Sequence, residues 1–323
     1  MNCNTDIKKI SETLFSAGKV VLFPHIHPDG DSVGSCAALS LALRGAGVEC
    51  YVCSGPVPPY TQHINREAFT DDLEKVMDPD IAVAVDCSAD HRLDSRLDAF
   101  RSGKVKMCLD HHENKEGYGD LYYIDEDAAA ACEIIFAVLK AAKAEITRDI
   151  ANAIYTGLVT DTGRFRHSNT TPKTHELAAE LMKIGVDHNS IMVNIFDSKS
   201  LKKVCCENKA IEKMQLFADG QGAISYLTSG EMAAMDALHE DADEIIDRLR
   251  EIEGVEMAAY LEEREDGIKV SMRAKSNSSV LEICERNGGG GHKKAAGCTI
   301  HDVTMEHAYA VIKGEMEEAL KAL

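Results

Sequence analysis

Positive charge is what this sequence has least of. Lys and Arg number 35 against 54 Asp and Glu, a formal net charge of −19 at pH 7. Non-specific binding to long nucleic acid draws its affinity from many Lys and Arg contacts to phosphates, so the balance argues against long double-stranded partners. A small anionic substrate stays compatible if metal ions or a few clustered side chains supply local positive charge. Long apolar runs are missing too: none approaches the ~20 residues needed to span a bilayer. No charged-then-apolar leader opens the chain, which begins MNCNTDIKKISETLF. A soluble cytoplasmic protein with no membrane partner is expected. The eleven cysteines lack a pattern, and the one C-x-x-C, Cys50 and Cys53, sits in the strand-like run VECYVC with no second pair. Neither a disulfide framework nor a structural zinc knuckle follows. Adjacent Cys205 and Cys206 read as a buried helix face rather than a redox pair. No internal repeat and no low-complexity tract is present.

What is present is length and periodicity. A chain of 323 residues with 45% apolar content can fill two cores. The first half alternates short apolar runs with helical stretches, the pattern of a parallel sheet covered by helices. KVVLF, VECYVC, IAVAVD and KVKMCLD read as strands; SVGSCAALSLALRGAG reads as a helix capped by Ser32, and three further helices follow. An α/β domain is expected over residues 1–187, a helical connector over 188–218, and a smaller α/β domain over 219–323. In that last domain the shared element is expected to be antiparallel strands rather than βαβ crossovers.

In open α/β sheets, functional groups collect beyond the carboxyl ends of the strands. Three strands here end in metal-ligand residue types: the first at His25, IAVAVD at Asp86, and KVKMCLD at Asp110, followed by His111 and His112. Asp29 and Asp31 come just before the first long helix, and their i, i+2 spacing lets both carboxylates reach one edge. Pro28-Asp29-Gly30 by itself signals only a turn. Asp161 lies at the end of an apolar helix, where a negative charge opposes the helix dipole and calls for a nearby cation. If these groups converge, four or more carboxylates meet, an arrangement prohibitively repulsive without cations. An imidazole and carboxylate set without thiolates suits manganese, magnesium, cobalt or iron better than a sulfur-bound zinc. The number of donors fits two metal ions, which at ~3.5–4 Å can clamp an in-line displacement at phosphorus.

The H-x-x-x-D-x-D at His25, Asp29 and Asp31, a lone Asp86 after a later strand, the triplet Asp110-His111-His112, and Asp161 in TDTG resemble, in that order, the DHH phosphoesterase superfamily. NGGGGHKKAAG, from Asn287 to Gly297, resembles the glycine-rich signature of the DHH-associated domain. The resemblance implies that His25, Asp29 and Asp86 hold one metal and that Asp31, Asp86, His111 and Asp161 hold the other, with Asp86 shared. It implies two divalent ions, Mn²⁺ for preference, and His112 near the scissile phosphate as a catalytic group beside Asp86. Asp110 then orients an imidazole. His27 stands where close relatives often carry Asn, so it is not assigned.

Gly288, Gly289, Gly290 and Gly291 would let the backbone approach a ligand and turn N–H groups toward phosphate oxygens, with His292, Lys293 and Lys294 adding charge. Arg273, on the strand IKVSMRA, offers a bidentate guanidinium. From the residues alone, a flexible glycine hinge and a solvated surface Arg are the favoured readings; the resemblance favours substrate binding at Arg273, Gly288–Gly291 and His292. The activity it implies is hydrolysis of short oligoribonucleotides to mononucleotides and of 3′-phosphoadenosine-5′-phosphate (pAp) to AMP, by water activated between the two metals. Such substrates suit a short grip formed by two lobes. The alternatives are a cyclic-dinucleotide phosphodiesterase, a family II inorganic pyrophosphatase, against which the GGGGH run argues, and a non-catalytic nucleotide binder, against which the filled ligand positions argue. A homodimer stays open. Arg164 and Arg166 read equally as substrate contacts and as a surface loop.

Overall fold

The computed structural model describes residues 2–112, 117–276 and 278–321. The chain divides into two units, Met1–Ser198 and Lys199–Leu323. In the first unit the elements run β1 Asn2–Cys3, α1 Ile7–Phe15, β2 Lys19–Pro24, α2 Gly30–Gly45, β3 Glu49–Cys53, β4 Phe69–Thr70, α3 Leu73–Val76, β5 Ile81–Val85, α4 Leu97–Arg101, β6 Val105–Asp110, β7 Leu121–Ile124, α5 Ala131–Ala141, α6 Arg148–Asp161, α7 Pro172–Ile184 and α8 His188–Phe196. Seven strands form one sheet in the order β1-β7-β6-β5-β2-β3-β4, parallel except for the β1–β7 pair. Period-two alternation fills both faces. Val20 and Leu22 of β2 and Ile81, Val83 and Val85 of β5 enter the core beneath the larger helices, while Val21, Phe23, Ala82 and Ala84 meet Leu93 and Phe100 on the other side. Chain order reverses at β2, with β3 on one side and β5 on the other. Their carboxyl ends flank the crevice where such sheets place functional groups.

Helices α2 and α6 approach closely because glycine allows it. A methyl group at Gly34 would lie 2.3 Å from the carbonyl oxygen of Ala153, and one at Gly157 would lie 2.2 Å from Cys132 Sγ and 2.7 Å from Asp31 Oδ1. This packing brings the start of α2 against the end of α6. The cap of α2 is Asp29 rather than Ser32: its side chain accepts from the amides of Asp31 and Ser32, so the helix starts two residues before the expected cap. A carboxylate at that position also suits the positive end of the helix dipole.

The second unit contains α9 Leu201–Lys213, β8 Gln215–Phe217, β9 Gly222–Leu227, α10 Ser229–Ala234, α11 Ile245–Glu251, β10 Met257–Arg264, β11 Gly267–Ala274, α12 Leu281–Arg286, β12 Gly290–His292, β13 Ala295–Ile300 and α13 Met305–Lys321. Its sheet order is β12-β13-β11-β10-β9-β8. The pairs are antiparallel except β9–β10, which is parallel. The expectation of a purely antiparallel unit fails there, because the chain between β9 and β10 carries α10 and α11 across one face and returns in the same direction. Met257, Ala259 and Leu261 of β10 pack on the side of α12 and α13, while Ala258 and Tyr260 face α9 and α11.

The stretch expected as a connector is shared between the units. Ile191 of α8 belongs to the first core, whereas Cys206 and Ala210 of α9 are buried in the second. Residues 215–217 are strand. Cys205 is exposed and Cys206 buried, so only one of the adjacent pair lines the expected face. Among the described residues, no helix is long and apolar enough to cross a membrane.

Candidate metal centre

All the acids and histidines singled out around the strand ends meet at one place. His25 follows β2, and Asp29 and Asp31 sit at the cap and in the first turn of α2. Asp86 follows β5, Asp110 closes β6 with His111 and His112 next, and Asp161 is the last residue of α6. His25 Nε2 is 3.7 Å from Asp86 Oδ2. His111 Nε2 lies 3.7 Å from Asp31 Oδ2, 3.5 Å from Asp86 Oδ1 and 3.4 Å from Asp161 Oδ2. Three overlapping groups, Asp86-His111-His112, His25-Asp29-Asp86 and Asp31-His111-Asp161, each bring three donor atoms within 4.8 Å of one another.

The backbone around the cluster fixes these side chains. Asp86 takes a left-handed φ of 55°, uncommon for a residue with a side chain and better tolerated by Asp than by most. Its amide donates to the carbonyl of Leu109, holding the turn to β6. Asp31 reaches across the fold to the start of α5. Its Oδ2 accepts from the amide of Ala131 at 2.6 Å and its Oδ1 from that of Cys132 at 3.0 Å. Helix α5 has no side-chain cap of its own at Ala130, so this carboxylate serves as one from a hundred residues away.

The histidine tautomers follow from their other ring nitrogens. His25 Nδ1 donates to the carbonyl of Ile26 at 2.7 Å, and His111 Nδ1 donates to that of Ala128 at 3.2 Å. In its neutral form each ring keeps a lone pair on Nε2, aimed at carboxylate oxygens that are acceptors themselves. Burial pushes the His25 pKa down, which keeps that ring neutral. Lone pairs facing carboxylates repel unless a cation stands between them. Asp86 makes the same point: it is 1% exposed, and its buried Oδ1 has no hydrogen-bond partner among the described residues. Burial, followed by the charges of Asp31, Asp29, Asp110 and Asp161, raises its pKa well above the usual carboxylate range. Asp161 is pushed up to about 8 by burial and then by Asp31 and Asp29. The donor set therefore fits divalent cations, and these residues could hold them.

His112 differs from His111. Its Nδ1 donates to Asp110 Oδ1 at 2.8 Å and lies 3.4 Å from Asp86 Oδ1, and its side chain is 34% exposed. Burial alone would raise the Asp110 pKa, but hydrogen bonding and charge from His112 win and hold it below the ordinary value. The imidazole that Asp110 orients is thus His112, while a backbone carbonyl orients His111.

Arg273, Gly288–Gly291 and His292 lie in the second unit. Arg273 is opposite Ala295 in the β11–β13 pair, and Ala295 is opposite His292 in the β12–β13 pair. Directly paired residues share a face, so the two basic side chains leave the same face on either side of a methyl group. The glycine run is less of a loop than its composition suggests: Gly290–His292 is the exposed edge strand β12, with Gly288 and Gly291 at φ 77° and 140°. Gly289 must be glycine, since a Cβ there would fall 2.1 Å from the carbonyl oxygen of Gly297. Lys294 is spent on the carbonyls of Lys275, Ser276 and Ser278, so its charge ties down backbone. Arg164 stacks over Phe196 at 4.5 Å. Two residues without an expected role touch the centre's frame: His167 and Asn169 both bond the carbonyl of Asp161.

Residues 19–158 match the DHH family N-terminal domain and residues 221–323 match the DHHA1 domain, and the chain belongs to the DHH family. The class so defined is that of hydrolases acting on phosphoester bonds. Among curated relatives, the bifunctional oligoribonuclease and PAP phosphatase NrnA of Thermus thermophilus is 29% identical over 307 residues, 94% of this chain and 91% of that one. The protein of the same name from Bacillus subtilis is 26% identical, over 87% of this chain and 89% of the relative. In fold, the crystal structure of an exopolyphosphatase-related protein from Bacteroides fragilis superposes with a TM-score of 0.91 at 23% identity, covering 98% of this chain and 97% of that one.

Proposed function

We propose that the chain is a Mn²⁺-dependent phosphoesterase that hydrolyses short oligoribonucleotides to mononucleotides and pAp to AMP. The observation that carries this reading is the convergence of His111 Nε2 on Asp86 and Asp161 at 3.5 and 3.4 Å, beside a buried Asp86 Oδ1 that has no hydrogen-bond partner among the described residues, in a chain similar to NrnA proteins along nearly its whole length. His25, Asp29 and Asp86 hold one cation and Asp31, Asp86, His111 and Asp161 the other. Bound there, two divalent ions would supply charge neutralisation, polarisation of the phosphoryl group and activation of water. His112, held by Asp110 through Nδ1, turns Nε2 toward the phosphate, and with a second proton on that nitrogen it would donate to a phosphoryl oxygen and steady developing negative charge. Arg273, His292 and the backbone of Gly288–Gly291 grip the distal phosphate or terminal nucleotide. An acidic chain with so small a cationic patch takes short substrates.

The test is chelated protein, reloaded with Mn²⁺ or Zn²⁺ and offered pAp, RNA dinucleotides, a longer RNA, cyclic dinucleotides and pyrophosphate. Hydrolysis of pAp and dinucleotides, lost on chelation and restored better by Mn²⁺ than by Zn²⁺, is expected. Turnover that survives chelation overturns the cation reading, and exclusive cleavage of cyclic dinucleotides or pyrophosphate overturns the substrate.

A further inference from the structure

Asn169 stands eight residues beyond Asp161, in HSNTT, and its amide joins two parts of the metal centre that are remote in sequence. Nδ2 donates to the carbonyl of Ala129 at 2.9 Å and to that of Asp161 at 3.3 Å. Both neighbours only accept, so chemistry fixes the direction of the amide. Ala129 lies in a strap whose neighbouring residues hold the site: the carbonyl of Ala128 accepts from His111 Nδ1, and the amides of Ala131 and Cys132 donate to Asp31. Asp161 is the last residue of α6, where helix carbonyls have no partner within the helix. Its carbonyl receives Asn169 and the ring of His167, at 3.2 Å.

The intervening loop is built to bring this amide back. Gly163, Arg164 and Phe165 are all left-handed, at φ 53°, 65° and 62°. The amides of Arg166 and His167 both donate to the carbonyl of Thr162, and Phe165 stacks on His175 at 5.1 Å. The strap holds the carboxylate of Asp31 and the end of α6 carries Asp161, two acids that repel when both are ionised. Two N–H donors shared between them resist that separation.

We propose that Asn169 is a positioning residue that fixes Asp161 against His111 and Asp31, and so sets the affinity of the cation those three hold. This rests on the cation reading above, and Asn169 touches neither cation nor substrate. The test uses the full chain, stripped of metal, in four forms: wild type, Asn169→Ala, Asn169→Ser and Thr170→Val. The last is a control, because the Thr170 hydroxyl, next along the chain, is buried without a partner among the described residues. Mn²⁺ is titrated calorimetrically at a temperature where every form is folded, and Mn²⁺ electron paramagnetic resonance reports spin-coupled pairs. Wild type and Thr170→Val should bind two Mn²⁺ as a coupled pair. In Asn169→Ala one of the two affinities should fall about ten-fold or more, with an uncoupled signal at low loading, and Asn169→Ser should fall between. Should Asn169→Ala not fold, Asn169→Ser alone decides. Unchanged isotherms and coupling in the folded Asn169 variants, whatever their melting temperatures, overturn the proposal by reducing Asn169 to a stabilising role. A wild type that binds no Mn²⁺ removes the cation reading itself, a separately visible result.

Discussion

Asp86 combines, in one residue, a left-handed backbone, nearly complete burial and an oxygen with no hydrogen-bond partner among the described residues. Asn tolerates the same backbone and carries no charge. Asp86→Asn should therefore lower hydrolysis by more than ~100-fold, beyond the loss usual for an outer partner of a ligand. Its metal-free form should melt no lower than wild type at pH 8, and parallel rate assays and melts check both halves. Asp161 gives the pH dependence. Its folded-state pKa, about 8, lies above the ~3.9 of an unfolded Asp, so the metal-free fold binds this proton more tightly than the unfolded chain does. This group's contribution makes the metal-free protein less stable as pH rises from about 4 to about 8. A cation must displace the proton below about pH 8, so Mn²⁺ affinity should climb toward that pH and then level. Calorimetry in buffers of different ionisation heat would show the released proton. The acids and histidines were legible in the sequence because strand ends and i, i+2 spacing concentrate them. His167 and Asn169 were not, because they act on backbone carbonyls and leave no pattern of residue types.

At the scale of elements, the meeting of α2 with α6 sets the width of the site. Gly157→Ala would drive a methyl group into Cys132 and the Asp31 carboxylate, and should cost about 1–3 kcal/mol or more as an overpacked core. Gly314, inside α13, would place a Cβ with nothing among the described residues within 4 Å beyond its own stretch of helix, and Gly314→Ala should instead stabilise by roughly 0.5–1 kcal/mol. Urea unfolding of both variants tests the contrast in sign. The long helices and the central strands were legible from apolar periodicity. The two-residue strands β1 and β4 were not, since pairings so short show no alternation. The glycines of β12 hid a strand behind a composition that signals a turn. Short crossover helices concealed the parallel β9–β10 pair, whose direction depends on the path between the strands rather than on the strands themselves.

For the whole molecule, the division of labour between the units is open to mutation. Arg273→Ala or His292→Ala should lower kcat/KM for dinucleotides and pAp about ten- to a hundred-fold, the loss of one charge-assisted hydrogen bond. Bis(p-nitrophenyl) phosphate has no distal group to grip, and its hydrolysis should change little in either variant. Equal losses on both substrates would put these residues at the reacting phosphorus, and no loss on either would leave the glycine run as scaffold. Two units of unequal size were legible from the change in strand and helix rhythm. The place of the division was not, because α8 and α9 have similar polar-apolar spacing and only packing assigns Ile191 to one core and Cys206 to the other. Two hydrogen bonds in the first unit also offer a clock. The amides of Ala131 and Cys132 are held by a carboxylate a hundred residues earlier, so their hydrogens can be replaced by deuterium only when Asp31 and the start of α5 part. Deuterium uptake at those two positions would time the opening of the site with neither substrate nor cation in the tube.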